Sequence, residues 1–540
     1  MKISGNIVDV IKEEIYPGYI VVENGRIQDI VRENLKSDKF ILPGFIDSHI
    51  HIESSMLLPY EFARIASTHG TVACVADPHE IANVLGRKGV EFMHQNAQGS
   101  AIKVYFGVPS CVPATNFETA GGKIDIEDIK YLFEKYDLKF LGEMMNVTGV
   151  IYNDENVAEK IEIAKKMNKK IDGHAPKLRG ADLKKYIEAG IGADHESVSI
   201  EEAEEKINLG MKIQIRQGSA AKDYDALFPL IEKYPNSCMF CSDDLHPDNL
   251  VDGHINLLVK KSVELGVDIF KVLKAATLNP VKHYGLDVGL LQVGDSADFI
   301  VVSDLKNFEV LRTYINGEIV ARNGRPEYPY KSFEKVNNFK KYKLSQEDFQ
   351  IKSEKDMEVN VITVHDNSLI TGRERFKINS IAGELVADTS RDILKIAVVN
   401  RYEKSKPAVG FIKNFGLKSG AIASSVAHDS HNIVAVCCDN DSLCRVVNLI
   451  MENEGGISAS DGVTDEILPL SFAGIMSGDD GYNVAKMYKK LDVMAKNMGS
   501  KLTSPFMTLS FMALLVIPDL KMSDKGLFDS QNFRFIGLEE

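Results

Sequence analysis

Between residues 40 and 284, strand-like apolar runs recur about every 20 to 35 residues, with amphipathic helical stretches between them. This alternation narrows the folds open to the chain more than any other feature, because it is what parallel βα units require. The runs end near His51, Asp77, Pro109, Glu143, His174, His195, Gln217 and Asp243. Helical patterning is expected over Glu127–Tyr136, Val157–Met167, Asp182–Ala189, Glu201–Leu209 and Tyr224–Lys233. Eight such units fit an α/β fold, a (β/α)8 TIM-like barrel, whose site lies where the strands' C-terminal ends converge. An open doubly wound sheet is the alternative, but no Gly-x-Gly-x-x-Gly or phosphate-cradling loop accompanies it.

The flanks of this region share a vocabulary. Residues 1–36 alternate short β-rich runs with turns, as in Tyr19-Ile20-Val21-Val22 followed by Glu23-Asn24-Gly25. Similar runs return at Phe299-Ile300-Val301-Val302 and around the turn Asn316-Gly317. The two ends are expected to form one composite small β-sandwich domain, 1–39 with 285–345, interrupted by the barrel at 40–284. The polar stretch Tyr328–Glu358 leads into a separate α+β C-terminal domain, 346–540, with helices expected over Ser442–Glu452 and Tyr482–Asn497. A chain of 540 residues has room for three such units.

Charge and cysteine content exclude several classes. The 63 basic and 77 acidic residues leave a net charge of −14, with no basic stripe to track phosphates, so a nucleic-acid partner is not expected. The first twenty residues carry Lys2, Asp9, Lys12, Glu13 and Glu14, unlike a secretory signal, and the apolar run Phe511–Ile517 is too short to span a bilayer. A soluble cytoplasmic protein without a membrane partner is expected, and a homo-oligomer is left open. Seven scattered cysteines suit reduced thiols; Cys238 and Cys241 point to opposite strand faces and do not make a structural zinc knot.

The chemistry sits at the strand ends. His49 and His51 in Gly44–Ser54 share one strand face, because side chains alternate with period two. Alone, the pair has a bland alternative, two hydrogen-bonded core histidines, which carries less weight than half a metal site. With Glu143, His174, His195 and Asp243 at later strand ends, the set suffices for two divalent ions. His49, His51 and Asp243 would hold one, His174 and His195 the other, and Glu143 would bridge them. Such nitrogen and oxygen donors suit Mn²⁺, Fe²⁺ or Zn²⁺ rather than a thiolate-seeking metal.

Pro43-Gly-Phe-Ile-Asp-Ser-His-Ile-His51 and the returning Gly294-Asp-Ser-Ala-Asp-Phe-Ile-Val-Val302 resemble the amidohydrolase superfamily of metal-dependent hydrolases. Within it the chain resembles the bacterial adenine deaminase family. That likeness is carried by Ala76-Asp-Pro-His-Glu-Ile-Ala-Asn83, Gly142-Glu-Met-Met-Asn146, Asp172-Gly-His-Ala-Pro176, Asp194-His-Glu-Ser197 and Ser242-Asp-Asp-Leu-His246. Val426-Ala-His-Asp-Ser-His-Asn432 and Gly462–Pro469 extend it through the C-terminal domain. The resemblance implies hydrolysis of adenine to hypoxanthine and ammonia, as in purine salvage, at a pair of Mn²⁺ or Fe²⁺ ions, with Glu143 where many superfamily members carry a modified lysine. Asp243 is then the group to accept a proton from the attacking water and pass it to the leaving amine, and Glu80, His79 and Glu196 are candidates to protonate N1. Asp244 is a candidate to bind a purine ring nitrogen, and Arg216 and Ser219 to touch substrate. Bland readings stand beside these: Asp244 as a loop ion pair, Glu80 as a helix-start carboxylate, Arg216 as a structural ion pair.

His69, His94, His254 and His283 are expected on helix or loop surfaces, and His428, Asp429 and His431 in structural hydrogen bonds rather than around a metal. Three rival functions remain. The first is another amidohydrolase reaction, on a cyclic amide or a different aminopurine. A cytidine-type zinc deaminase fails on spacing, since His51-Ile-Glu53 and Cys238-x-x-Cys241 lie far apart and Ser237 replaces the expected proline. A non-catalytic metal-binding protein is the third.

Overall fold

The computed structural model describes all 540 residues. Four strands open the chain: β1 (Lys2–Asp9), β2 (Glu14–Glu23), β3 (Arg26–Arg32) and β4 (Phe40–Pro43). Eight follow: β5 (Phe45–Ile50), β6 (Thr71–Ala76), β7 (Lys103–Phe106), β8 (Phe140–Met144), β9 (Lys170–Gly173), β10 (Ala193–Asp194), β11 (Lys212–Arg216) and β12 (Cys238–Cys241). The chain then returns with β13 (Phe299–Val302), β14 (Val310–Ile315), β15 (Glu318–Arg322) and β16 (Arg325–Pro326).

The first four and the last four strands make one hydrogen-bonded sheet, ordered β16-β15-β14-β13-β4-β1-β2-β3, rather than two facing sheets. In sequence the apolar run Phe40–Pro43 leads directly to the histidine-bearing strand, but in space it does not join it. Instead β4 pairs antiparallel with β13, and the chain changes sheets at Gly44. A Cβ there would lie 2.1 Å from Val72 Cγ1, so only glycine lets the two strands run this close. Alternation along β4 sends Ile41 into the sheet's own core and Leu42 into the apolar layer shared with the helices around β11 and β12.

All pairings among β5 to β12 are parallel: β5-β6-β7 form one ladder and β8-β9-β10-β11-β12 another. Parallel bridges join their margins, Val108 to Leu141 and Ile50 to Asp243. β5 and β6 are buried along their whole length, the pattern of strands covered on both faces. The helices between them start one or two residues ahead of the apolar pattern because caps set their ends. The Asp154 side chain accepts from the Asn156 and Val157 amides, and Ser199 from Glu202. The expected helix Tyr224–Lys233 is split, because Pro229 opens a second helix and removes a donor from the first.

The C-terminal region is built on an eight-stranded mixed sheet. Its helix Asn440–Asn453 packs Leu443, Val446, Val447 and Ile450 onto Ala397, Ala423 and Ala435 of the sheet. The opposite face, with Ile396, Ile412, Val434 and Val436, joins the apolar cluster that contains Val75, Phe106 and Leu141. Polar contacts reinforce this junction: Arg64 is bonded to both Glu61 and Asp480, and the Gly481 amide donates to Glu61 Oε1 at 2.8 Å. No helix of the chain is long and apolar enough to cross a membrane.

Candidate metal centre and adjoining cavity

Six sequence-selected side chains converge at one end of the parallel strands. His49 and His51 lie on one face of β5 and its extension, with their Nε2 atoms 3.3 Å apart. His51 Nε2 is 3.0 Å from Glu143 Oε1 and 3.3 Å from Asp243 Oδ1. On the other side, Glu143 Oε2 lies 2.7 Å from His174 Nδ1 and 3.3 Å from His195 Nε2. The two oxygens of one carboxylate thus address two separate histidine groups. His49, His195 and Asp243 also fall within a single ligand-sized cluster. His51 Nδ1 meets the Asp77 carbonyl at 3.0 Å, so that nitrogen is the donor and Nε2 is the one turned to the centre.

Sequence features outside the ligands hold this geometry. Asp77 Oδ2 accepts the Glu143 amide at 2.8 Å, and a Cβ at residue 142 would sit 2.3 Å from that oxygen, which explains Gly142. Tyr186 donates to the Met144 carbonyl at 2.6 Å and accepts the His174 amide at 3.1 Å, tying β8 to β9. The Lys206 amine, fully buried, donates to Asp194, Glu202, Ser197 and the Ala175 carbonyl and so fixes the loops beside His174 and His195. Asp243 has φ +57, a conformation costly for a non-glycine residue. It is held there by backbone bonds to both neighbours of its metal face, Asp243 N to the His49 carbonyl and His51 N to the Asp243 carbonyl.

Burial drives the carboxyl groups of Glu143 and Asp243 toward the neutral form, but the hydrogen bonds and charges around them outweigh it. His195, His174 and His51 hold Glu143 well below the usual range, as His49, His51 and Arg216 hold Asp243. Burial lowers His195, yet Glu143 carries it up to about 9. Convergent imidazole nitrogens, buried carboxylates held ionised and no sulfur donor are what a pair of divalent cations such as Mn²⁺, Fe²⁺ or Zn²⁺ requires.

The other selected residues fall into two groups. His79 joins the cluster: its Nδ1 is 3.3 Å from Glu143 Oε1 and its Nε2 is 3.3 Å from Glu80 Oε1. Glu80, in the first turn of helix His79–Leu85, lines the same cavity, and so do Glu196, Asp244 and Arg216. Arg216 is committed to three carboxylates, bonding Glu196, Asp223 at 2.8 Å and Asp243 at 2.8 Å, which leaves Glu196 as the conjugate base of a tight ion pair. Asp244 accepts from the Ser54 hydroxyl at 2.5 Å. Ser219 stays out of the cavity: its hydroxyl donates to Asn249 Oδ1 at 2.6 Å and accepts the His246 amide at 2.8 Å.

Several residues were misplaced or missed by sequence reading. His254, expected on the surface, is buried and bonded to Asp47 Oδ2 at 2.8 Å; Asp47 in turn accepts the Ser242 amide at 3.1 Å, so the pair links β5 to the Asp243 turn. His69 and His283 are also mostly enclosed, and burial lowers them to about 4 and about 3. His428 and His431 of the C-terminal region make polar contacts, as expected, but their partner is a carboxylate of the cavity. His428 hydrogen-bonds Glu80 Oε1 and stacks on Phe511 at 4.7 Å between centroids, while His431 Nε2 is 2.5 Å from Glu80 Oε2. Asp429, Leu369, Phe511, Val516 and Ile517 add one wall of the cavity. The signal was the pairing of Pro-His-Glu with His-Asp-Ser-His, but no spacing rule links positions so distant in the chain.

Similarity agrees with this construction. The amidohydrolase family matches residues 40–320, and the adenine deaminase C-terminal domain matches residues 368–534. The adenine deaminase of Sulfurovum sp. (strain NBC37-1) is 52% identical over 537 residues, covering 99% of each chain. That of Methanosarcina mazei is 49% identical over 549 residues, again covering 99% of each. With such identity along its whole length, the chain belongs to the adenine deaminase family of the amidohydrolases.

Proposed function

We propose that the protein hydrolyses adenine to hypoxanthine and ammonia, using two divalent ions, Mn²⁺ or Fe²⁺, held by His49, His51, Glu143, His174, His195 and Asp243. What supports this reading is Glu143, whose two oxygens reach separate histidine groups 3.0 Å and 2.7 Å away. Bound there, such ions would lower the pKa of a water and make it a nucleophile at neutral pH.

The chain's own groups do the rest. Asp243, ionised and 3.3 Å from His51 Nε2, takes a proton as oxygen adds to C6 and returns it to the departing amine. Glu80, flanked by His79 and His428 and resting as a carboxylate, takes the first proton of the water and passes it to N1, so that the two protons of one water end on N1 and on ammonia. Of the three candidates for this step, Glu196 fits least, because Arg216 bonds both of its oxygens. Asp244 faces the purine edge, and Arg216 orients Asp243 and Glu196 rather than touching the base.

This reading takes β5 to β12 as a closed (β/α)8 barrel, joined at the Val108–Leu141 and Ile50–Asp243 bridges. It retains the three-part division into composite sheet, barrel and C-terminal domain, with cytoplasmic purine salvage as the setting. The test is to purify the protein from manganese-supplemented, iron-restricted medium, count metals and follow hypoxanthine and ammonia. About two metals per chain with turnover of adenine and none of adenosine is expected. Two metals with no adenine turnover would overturn the substrate and send the search to other amidohydrolase substrates.

A further inference from the structure

Six carboxylates line the cavity: Glu80, Glu143, Glu196, Asp243, Asp244 and Asp429. Five are engaged by the protein. Glu80 is bonded by His428, Glu143 by His174, Glu196 and Asp243 by Arg216, and Asp244 by Ser54. Asp429 differs: its side chain is buried, and its Oδ2 has no hydrogen-bond partner. It lines the cavity beside Phe511, Val516 and Ile517, an apolar wall of the kind that covers a purine face.

A free purine base brings one donor that this chemistry does not consume, the N–H of its five-membered ring. Enclosed without an acceptor, that N–H would cost roughly 1–3 kcal/mol. An unused buried carboxylate is equally expensive until a donor arrives. We propose that Asp429 selects the free base by accepting the imidazole-ring N–H of adenine, at N7 or N9. The assignment rests on the adenine reading above. It gives the C-terminal domain a direct part in recognition and explains how a nucleoside is refused: N9 then carries a sugar and no hydrogen. Burial, with Glu80 nearby, raises the Asp429 carboxyl to about 6, consistent with a group waiting for a donor.

The test compares adenine with the two 7-aminooxazolopyrimidines in which a ring oxygen replaces the N–H at either imidazole position and the other ring nitrogen is kept, in wild type, Asp429→Asn and Asp429→Ala. Michaelis or inhibition constants, kcat and metal content are measured. In wild type, the analogue lacking the relevant N–H should bind roughly 10- to 100-fold more weakly than adenine. Asp429→Ala should raise the adenine KM by a similar factor with kcat within about fivefold and metal content unchanged, and should erase the discrimination. Asp429→Asn, which keeps a neutral acceptor, should lie between. Wild type binding both analogues as well as adenine would overturn the proposal without recourse to any variant. Equal discrimination in wild type and Asp429→Ala would overturn it too. Absence of adenine turnover by wild type would instead remove the parent reading.

Discussion

Glu80, in the first turn of a helix that follows β6, is hydrogen-bonded to His428, a residue 348 positions later in the turn between two strands of the C-terminal sheet. The cavity is therefore a two-part structure: β5 to β12 and the residues that follow them carry the proposed metal ligands, and the C-terminal domain holds the neighbouring carboxyl in place. Burial works against charge on Glu80, but His428, His431 and His79 together keep it well below the usual range. The same ion pair, against its own burial, lifts His428 to about 9.

His428→Gln keeps a donor near Glu80 but removes the titrating ring. If Glu80 exchanges the N1 proton through this couple, kcat should fall about 10²- to 10³-fold. Metal content should not change, because His428 lies beyond the ligand set. Steady-state kinetics with metal analysis checks this; loss of both metals together with activity would mean that the histidine only supports the fold.

The divided reach of Glu143 leads to a second expectation. Glu143→Gln retains the side-chain volume but replaces one charged oxygen with an amide that cannot bridge two cations. Metal content should fall from two per chain toward one, and deamination should be lost in parallel. Two tightly held metals in the variant would count against the bridge.

Asp243 calls for a conservative change because its φ of +57 tolerates asparagine far better than most residues. Asp243→Asn should fold, as judged by an unchanged circular dichroism spectrum and melting profile. It should lose at least about 10³-fold in kcat, since the amide cannot accept the proton from water. Turnover within tenfold of wild type would assign the proton transfer elsewhere.

Much of the site was legible because its chemistry is local to strand ends. His49 and His51 follow from period-two alternation, and Glu143, His174, His195 and Asp243 each stand where an apolar run stops. What was illegible depends on where distant segments meet. Nothing near His254 in sequence reveals Asp47, and nothing near His428 reveals Glu80. Ser219 was selected by position after β11, yet its hydroxyl turns toward Asn249, a choice made by packing and not by spacing. The break between β4 and β5 was hidden for another reason. An apolar run reads as one strand unless the close approach of Val72 to Gly44 is known.

Lys521 carries the last prediction. Its ammonium is fully buried and donates only to two carbonyls, Leu369 at 2.8 Å and Phe511 at 3.1 Å, both on residues that line the cavity. Burial without a carboxylate partner lowers its pKa to about 7. Between pH 7 and the unfolded value near 10.4 the unfolded chain binds a proton that the folded chain does not, so stability rises with pH across that window. Below pH 7 both states are protonated and the whole penalty, roughly 5 kcal/mol, applies. Lys521→Met removes the titration and leaves two carbonyls unpaired at every pH. The melting temperature of the variant relative to wild type should therefore be highest near pH 7 and decline steadily toward pH 10. A difference that does not vary with pH would mean that the amine is charged at little cost in the folded protein.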